Sequence, residues 1–116
     1  MLQFMILAYD GTDPGAPARR QAAKEAHTTL GRRMISSGNV LFSTAILDDD
    51  GETVGSLRIM QFESRAQLDA WLEREPYITD RVWQDIEIKQ CRMGPAFEWM
   101  TLEPGGTRMQ SSDEEE

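Results

Sequence analysis

One imidazole occurs in the whole chain, His27, and it is the side-chain type that exchanges protons near neutral pH. Counted along a helix, His27 follows Ala23 by four residues and precedes Leu30 and Met34 by three and seven, so the ring shares their apolar stripe and points toward whatever that helix covers. Glu75 follows Leu68 by seven residues and Leu72 by three, which places its carboxylate on the buried face of a second helix that Pro76 ends. An imidazole beside a carboxylate is an acid/base arrangement: the carboxylate accepts one ring N–H and orients the ring while the other nitrogen takes or gives a proton. Each residue also has a plain structural reading. His27 would be a half-buried histidine satisfied by a carbonyl or carboxylate, and Glu75 a solvated helix end.

Arg20 and Lys24 precede His27 by seven and three residues and lie on the same helical stripe, where they would hold an anionic ligand. The alternative is ordinary pairing with Asp10, Asp13 or Glu25. Tyr77, directly after Pro76, offers either a phenol to the same cleft or an apolar ring to the helix end. Trp71 and Trp83 read as core or interface, and Cys91, with no basic neighbour at helix spacing, as structural. One thiol and one imidazole cannot furnish a four-ligand zinc site, and no metal is expected. Asp48-Asp49-Asp50-Gly51 is a hairpin turn, because a calcium loop in that frame would need an acid where Ile46 stands and Glu where Leu57 stands. Neither a Gly-rich nucleotide loop nor a Gly-x-Ser-x-Gly elbow is present, so the expected chemistry uses no cofactor.

At 116 residues the chain has room for one domain, and its 40% apolar and 28% charged residues are those of a soluble globular protein. The formal net charge of −8, with four of the acids in residues 113–116, repels phosphate backbones and argues against nucleic acid as a partner. No run approaches the roughly 18 apolar residues of a membrane span. A single cysteine and an N-terminus without a signal-peptide pattern lead to the expectation of a cytoplasmic protein.

The elements that must carry these residues follow from periodicity. Residues 2–9 are apolar at both parities, as in a strand buried on two sides, and residues 18–37 form a proline-free helix ending near Gly38-Asn39. Residues 40–47 and 54–63 are two strands joined by the Asp-Gly turn. Ser64 with Gln67 opens a second helix, whose Leu68, Trp71 and Leu72 share a face. Residues 85–92 alternate as a strand with one wet face, and residues 94–100 are expected to add a short terminal strand. This order predicts an α+β, ferredoxin-like βαββαβ domain over residues 1–102: a four-stranded antiparallel sheet with two helices on one face. Residues 103–116 are expected to be a disordered acidic tail. Met5, Leu7, Leu57 and Ile59 oppose Phe4, Ile6, Met60 and Phe62, so one apolar set is left without helices. The expected partner is a second copy, packed sheet to sheet.

Four segments carry a family resemblance: Phe4-Met5-Ile6-Leu7-Ala8-Tyr9-Asp10, Arg20-x-x-x-Lys24-x-x-His27, Glu75-Pro76-Tyr77 and Val82-Trp83-Gln84-Asp85-Ile86-Glu87-Ile88. Through them the chain from Phe4 to about Phe97 resembles the YciI-like (YCII-related) family of the dimeric αβ-barrel superfamily. The resemblance implies the fold above, a homodimer, and a His–carboxylate active site at His27 and Glu75, where family members typically have Asp in place of Glu75. Glu keeps the carboxylate and lengthens its reach by one methylene. An Arg is usual in the family at Lys24, and the Asp-Gly-Pro-Phe motif of a related subgroup is missing here. The few established activities in the family include a dehydrochlorinase acting on a chlorinated hydroxyquinol.

Two functions follow as expectations. The first is a cofactor-independent acid/base enzyme acting by proton abstraction, isomerisation or elimination on a small anionic or aromatic metabolite, with catalytic His27 and Glu75 and substrate-binding Arg20, Lys24 and Tyr77 around a pocket open to solvent. The second is a non-catalytic metabolite-binding or accessory protein in which His27 is structural and enclosed.

Overall fold

In the computed structural model, which describes residues 1–101, strand β1 (Leu2–Asp10) sends its apolar residues both ways. Phe4, Ile6 and Ala8 are buried, and Met5 and Leu7 on the other face are half-buried. Helix α1 (Ala16–Ser36) starts two residues earlier than the sequence predicts, with Pro17 inside its first turn, where the missing N–H costs no hydrogen bond. It stops at Gly38, whose φ of 83° only glycine adopts freely; the Gly38 and Asn39 amides donate to Ile35 O and Met34 O at 3.0 and 2.9 Å. Strands β2 (Val40–Leu47) and β3 (Thr53–Phe62) form the expected hairpin. Asp48 Oδ1 fixes its turn by accepting the amides of Asp50 and Glu52 at 2.9 and 3.0 Å.

Helix α2 (Arg65–Leu72) opens as predicted: Ser64 Oγ accepts the Gln67 amide, and Gln67 Oε1 accepts the Glu63 amide. It ends four residues before Pro76, which instead begins a separate helix, α3 (Pro76–Thr79). Glu75 therefore does not lie on the second helix, contrary to the sequence-based placement. Arg81 takes the left-handed conformation (φ 63°) and turns the chain into β4 (Trp83–Cys91). The terminal strand expected over residues 94–100 is a 3₁₀ helix, Pro95–Thr101. Pro95 has no N–H to give to a sheet ladder, and the amide of Phe97 turns back to Gly94 O at 2.9 Å. The tail expected over residues 103–116 lies outside the described residues.

All four strands are antiparallel in the order β2-β3-β1-β4, which is the ferredoxin-like α+β arrangement. Ala23, Leu30 and Met34 of α1 and Leu68 and Trp71 of α2 join Phe4, Ile6, Met60 and Phe62 in one core, so the helices cover a single face. Met5, Leu7, Leu57, Ile59 and Phe42 share the other face, with Met5 opposite Ile59, Leu7 opposite Leu57 and Phe42 opposite Ile59. At Gly55 the two central strands approach so closely that a Cβ would stand 2.3 Å from Ala8 O, which reserves the position for glycine.

Candidate functional site

The α1 stripe delivers His27 to the core as its spacing requires; Glu75 arrives by another route. A residue before proline is driven out of the helical region, and Glu75 sits extended at φ −67° and ψ 115° as the N-cap of α3. From there Oε1 accepts the Tyr77 amide at 3.0 Å and meets His27 Nδ1 at 2.5 Å. A carboxylate only accepts, so the neutral ring carries its proton on Nδ1, and Nε2 is the nitrogen left to exchange one. The second carboxylate oxygen, Oε2, is buried and has no hydrogen-bond partner among the described residues. A carboxylate oxygen left so is costly and calls for a reason beyond capping a four-residue helix.

Aromatic rings enclose the imidazole. Tyr77 stacks on it with centroids 3.7 Å apart and planes 6° from parallel, and Trp83 meets both rings edge-on at 5.7 and 5.5 Å. The Arg20 guanidinium lies 4.7 Å from the Tyr77 centroid, with Nη1 3.4 Å from the phenol oxygen. Asp10 grips Arg20 in a two-point ion pair, Nε to Oδ2 at 2.7 Å and Nη2 to Oδ1 at 3.0 Å. His27, Glu75, Tyr77 and Arg20 thus form one chain of contacts, whereas Lys24 lies apart and exposed. Arg20 and Lys24 together line a cleft of about 810 Å³ between the start of α1 and the β2–β3 hairpin. Neither His27 nor Glu75 reaches it: their side chains are 2% and 0% exposed. The pair is enclosed, and the solvent-open pocket expected around it is not present in this conformation.

One participant entered the sequence reading only in part, and another escaped it. Asp10 entered it only as one possible partner of Arg20. Arg58, buried on the helix-facing side of β3, holds its guanidinium 5.3 Å from the Trp83 ring. A charge at even parity with Met60 and Phe62 was the available signal for Arg58.

Elsewhere, the solvent-exposed Arg19 guanidinium, bonded to Asp13 at 2.6 and 2.9 Å, holds that carboxyl well below the usual carboxylate range. Because the folded value is depressed, the contribution of the pair is complete above the ordinary value of 3.8 and is lost as pH falls through the folded one. Denaturation midpoints of the parent and Asp13→Asn should therefore differ by a constant above about pH 5 and draw together progressively as pH falls below about 4. Water screens so exposed a pair, and a difference independent of pH would show that it contributes nothing. Burial pushes the Cys91 thiol up, which keeps it protonated and unreactive at neutral pH.

The comparisons with known proteins agree with this architecture. A sequence model of the YCII-related domain matches residues 2–92. No curated protein matches the chain. Among solved structures, the fold is similar to 5-chloro-2-hydroxyhydroquinone dehydrochlorinase from Burkholderia phenoliruptrix in complex with 2,5-dihydroxybenzoquinone. The TM-score is 0.60 at 19% identity, over 81% of this chain and 97% of that one. An antibiotic biosynthesis monooxygenase aligns at TM-score 0.47 and 15% identity over 82% and 100% of the two chains, and a protein from Pseudomonas aeruginosa at 0.47 and 16% over 80% and 95%. At 19% identity the likeness to the dehydrochlorinase speaks for the fold alone. The family match, in contrast, runs from the first residue of β1 past the end of β4 and takes in His27, Glu75 and every helix from α1 to α3, so this chain belongs to the YCII-related family.

Proposed function

We propose that this YCII-related protein is a cofactor-independent acid/base enzyme for a small planar, anionic or aromatic metabolite. Proton abstraction, isomerisation and elimination are the reactions its groups suit. His27 Nε2 exchanges the proton, Glu75 orients the ring, and Arg20, Lys24 and Tyr77 receive the substrate from the cleft side. The observation that carries the reading is the 2.5 Å contact of His27 Nδ1 with a fully buried carboxylate, the geometry that readies an imidazole for proton transfer. The dihydroxybenzoquinone bound by the structurally similar dehydrochlorinase supplies a probe of the right class. In D₂O the parent protein should accelerate exchange of that probe's ring hydrogens, and the probe should shift the His27 ring resonances. A probe that binds without either effect overturns the enzyme reading.

Enclosure of His27 and Glu75 favours a second reading, a metabolite-binding protein with a structural histidine. In that case the probe binds the parent and His27→Asn alike.

The working form is a homodimer closed over the sheet face that bears Met5, Leu7, Phe42, Leu57 and Ile59. An apolar face of this extent, turned away from the helices, is what such an interface requires. Sedimentation at micromolar concentration should return twice 13.2 kDa; a monomer there refutes the dimer. No helix among the described residues is long and apolar enough to cross a membrane. We assign the protein to the cytoplasm because its lone cysteine suits a reducing compartment.

A further inference from the structure

Arg20 belongs to two environments at once. One side of it lines the cleft shared with Lys24; the other lies over Tyr77, which is stacked on His27. Along this line the guanidinium and the Tyr77 ring beneath it separate solvent from the enclosed imidazole–carboxylate pair. The Nε–Nη2 edge of the guanidinium is not open to an incoming anion, because Asp10 takes both nitrogens together. That edge is the one a planar carboxylate binds with two parallel hydrogen bonds. With side chains only 16% and 12% exposed, the Arg20–Asp10 pair is sheltered enough for its charges to matter.

We propose that Asp10 is a specificity-determining residue, an internal carboxylate that a ligand must displace from Arg20. This rests on the reading above, in which substrate enters by the cleft. Two anions cannot share one guanidinium edge, so ligand and Asp10 exclude each other. A ligand wins the exchange only by presenting its own planar oxyanion. A neutral ligand of the same shape leaves the pair closed and Tyr77 covered. The ligand class is therefore a small planar carboxylate, or a ring whose adjacent oxygens carry the charge in the same way. Lys24 stands on the same cleft wall, but Asp13, Asp48 and Glu52 line it too, so the cleft as a whole does not draw anions in and the ligand is held through the Arg20 edge itself.

Calorimetry with benzoate and its neutral analogue benzamide tests this on the parent and on Asp10→Asn. Removing the competitor should tighten benzoate binding by about tenfold and leave benzamide unchanged. In the parent, which needs no substitution, benzoate should move the Arg20 Nε–H resonance and benzamide should not. Equal benzoate affinity for the two proteins, or an Arg20 resonance that benzoate leaves in place, overturns the proposal. If benzoate binds Asp10→Asn more tightly while the His27 ring signals stay fixed, Asp10 keeps its role. It is then the cleft's connection to His27, and with it the enzyme reading, that falls.

Discussion

Turnover in His27→Asn should fall by about two to four orders of magnitude, the usual worth of a positioned general acid/base. Asn is the informative replacement because its amide nitrogen sits near the place of Nδ1. It can still donate to Glu75 Oε1, while nothing remains at the position of Nε2. The carboxylate keeps a donor, so the fold should survive and the loss should appear in kcat. A loss confined to KM would make His27 a binding residue. Unchanged turnover, with only the melting temperature reduced, would establish the imidazole as a structural part of the core.

Glu75→Ala should cost about 3 kcal/mol of stability, the range found when one partner of a buried charged contact is removed. The substitution strands two buried donors, the Nδ1–H of His27 and the backbone amide of Tyr77, both of which now meet Oε1. Glu75→Gln supplies a carbonyl oxygen at the same reach and should cost about 1 kcal/mol or less, while lowering turnover because the charge that steadies a protonated ring is gone. Urea denaturation of the two variants separates the hydrogen bonds from the charge. If both variants lose the same stability, the acceptor geometry at Oε1 is not what holds α3 against α1.

How far the sequence carried can be followed residue by residue. The stripe of Ala23, His27, Leu30 and Met34 is a direct statement about which way a regular helix faces, and the structure buries all four. The two-sided apolar character of β1 and β3 identified the central strands, and the sheet order has them there. Glu75 reached the right neighbourhood for the wrong reason. Helical counting from Leu68 and Leu72 let the helix run up to Pro76, whereas α2 stops at Leu72 and Pro76 holds Glu75 extended as the cap of a separate helix. Arg58 was hidden by the same pattern that revealed β3. With apolar residues at both parities, a charge between Leu57 and Ile59 reads as a solvent-facing residue, although its parity matches Met60 and Phe62. Residues 94–100 misled because a short apolar run carries no information about whether a partner edge exists, and Pro95 removes a donor that pairing would need.

Oε1 of Glu75 serves two masters, the first turn of α3 and the imidazole of α1. Four residues of helix have almost no stability of their own, because nucleation is unfavourable and the gain from so few bonds is small. Whatever draws that oxygen away from the Tyr77 amide also loosens the segment that lays Tyr77 on the ring. Local unfolding of residues 76–79 and separation of His27 from Glu75 are then one cooperative event, and the amide exchange rate of Tyr77 becomes a clock for both.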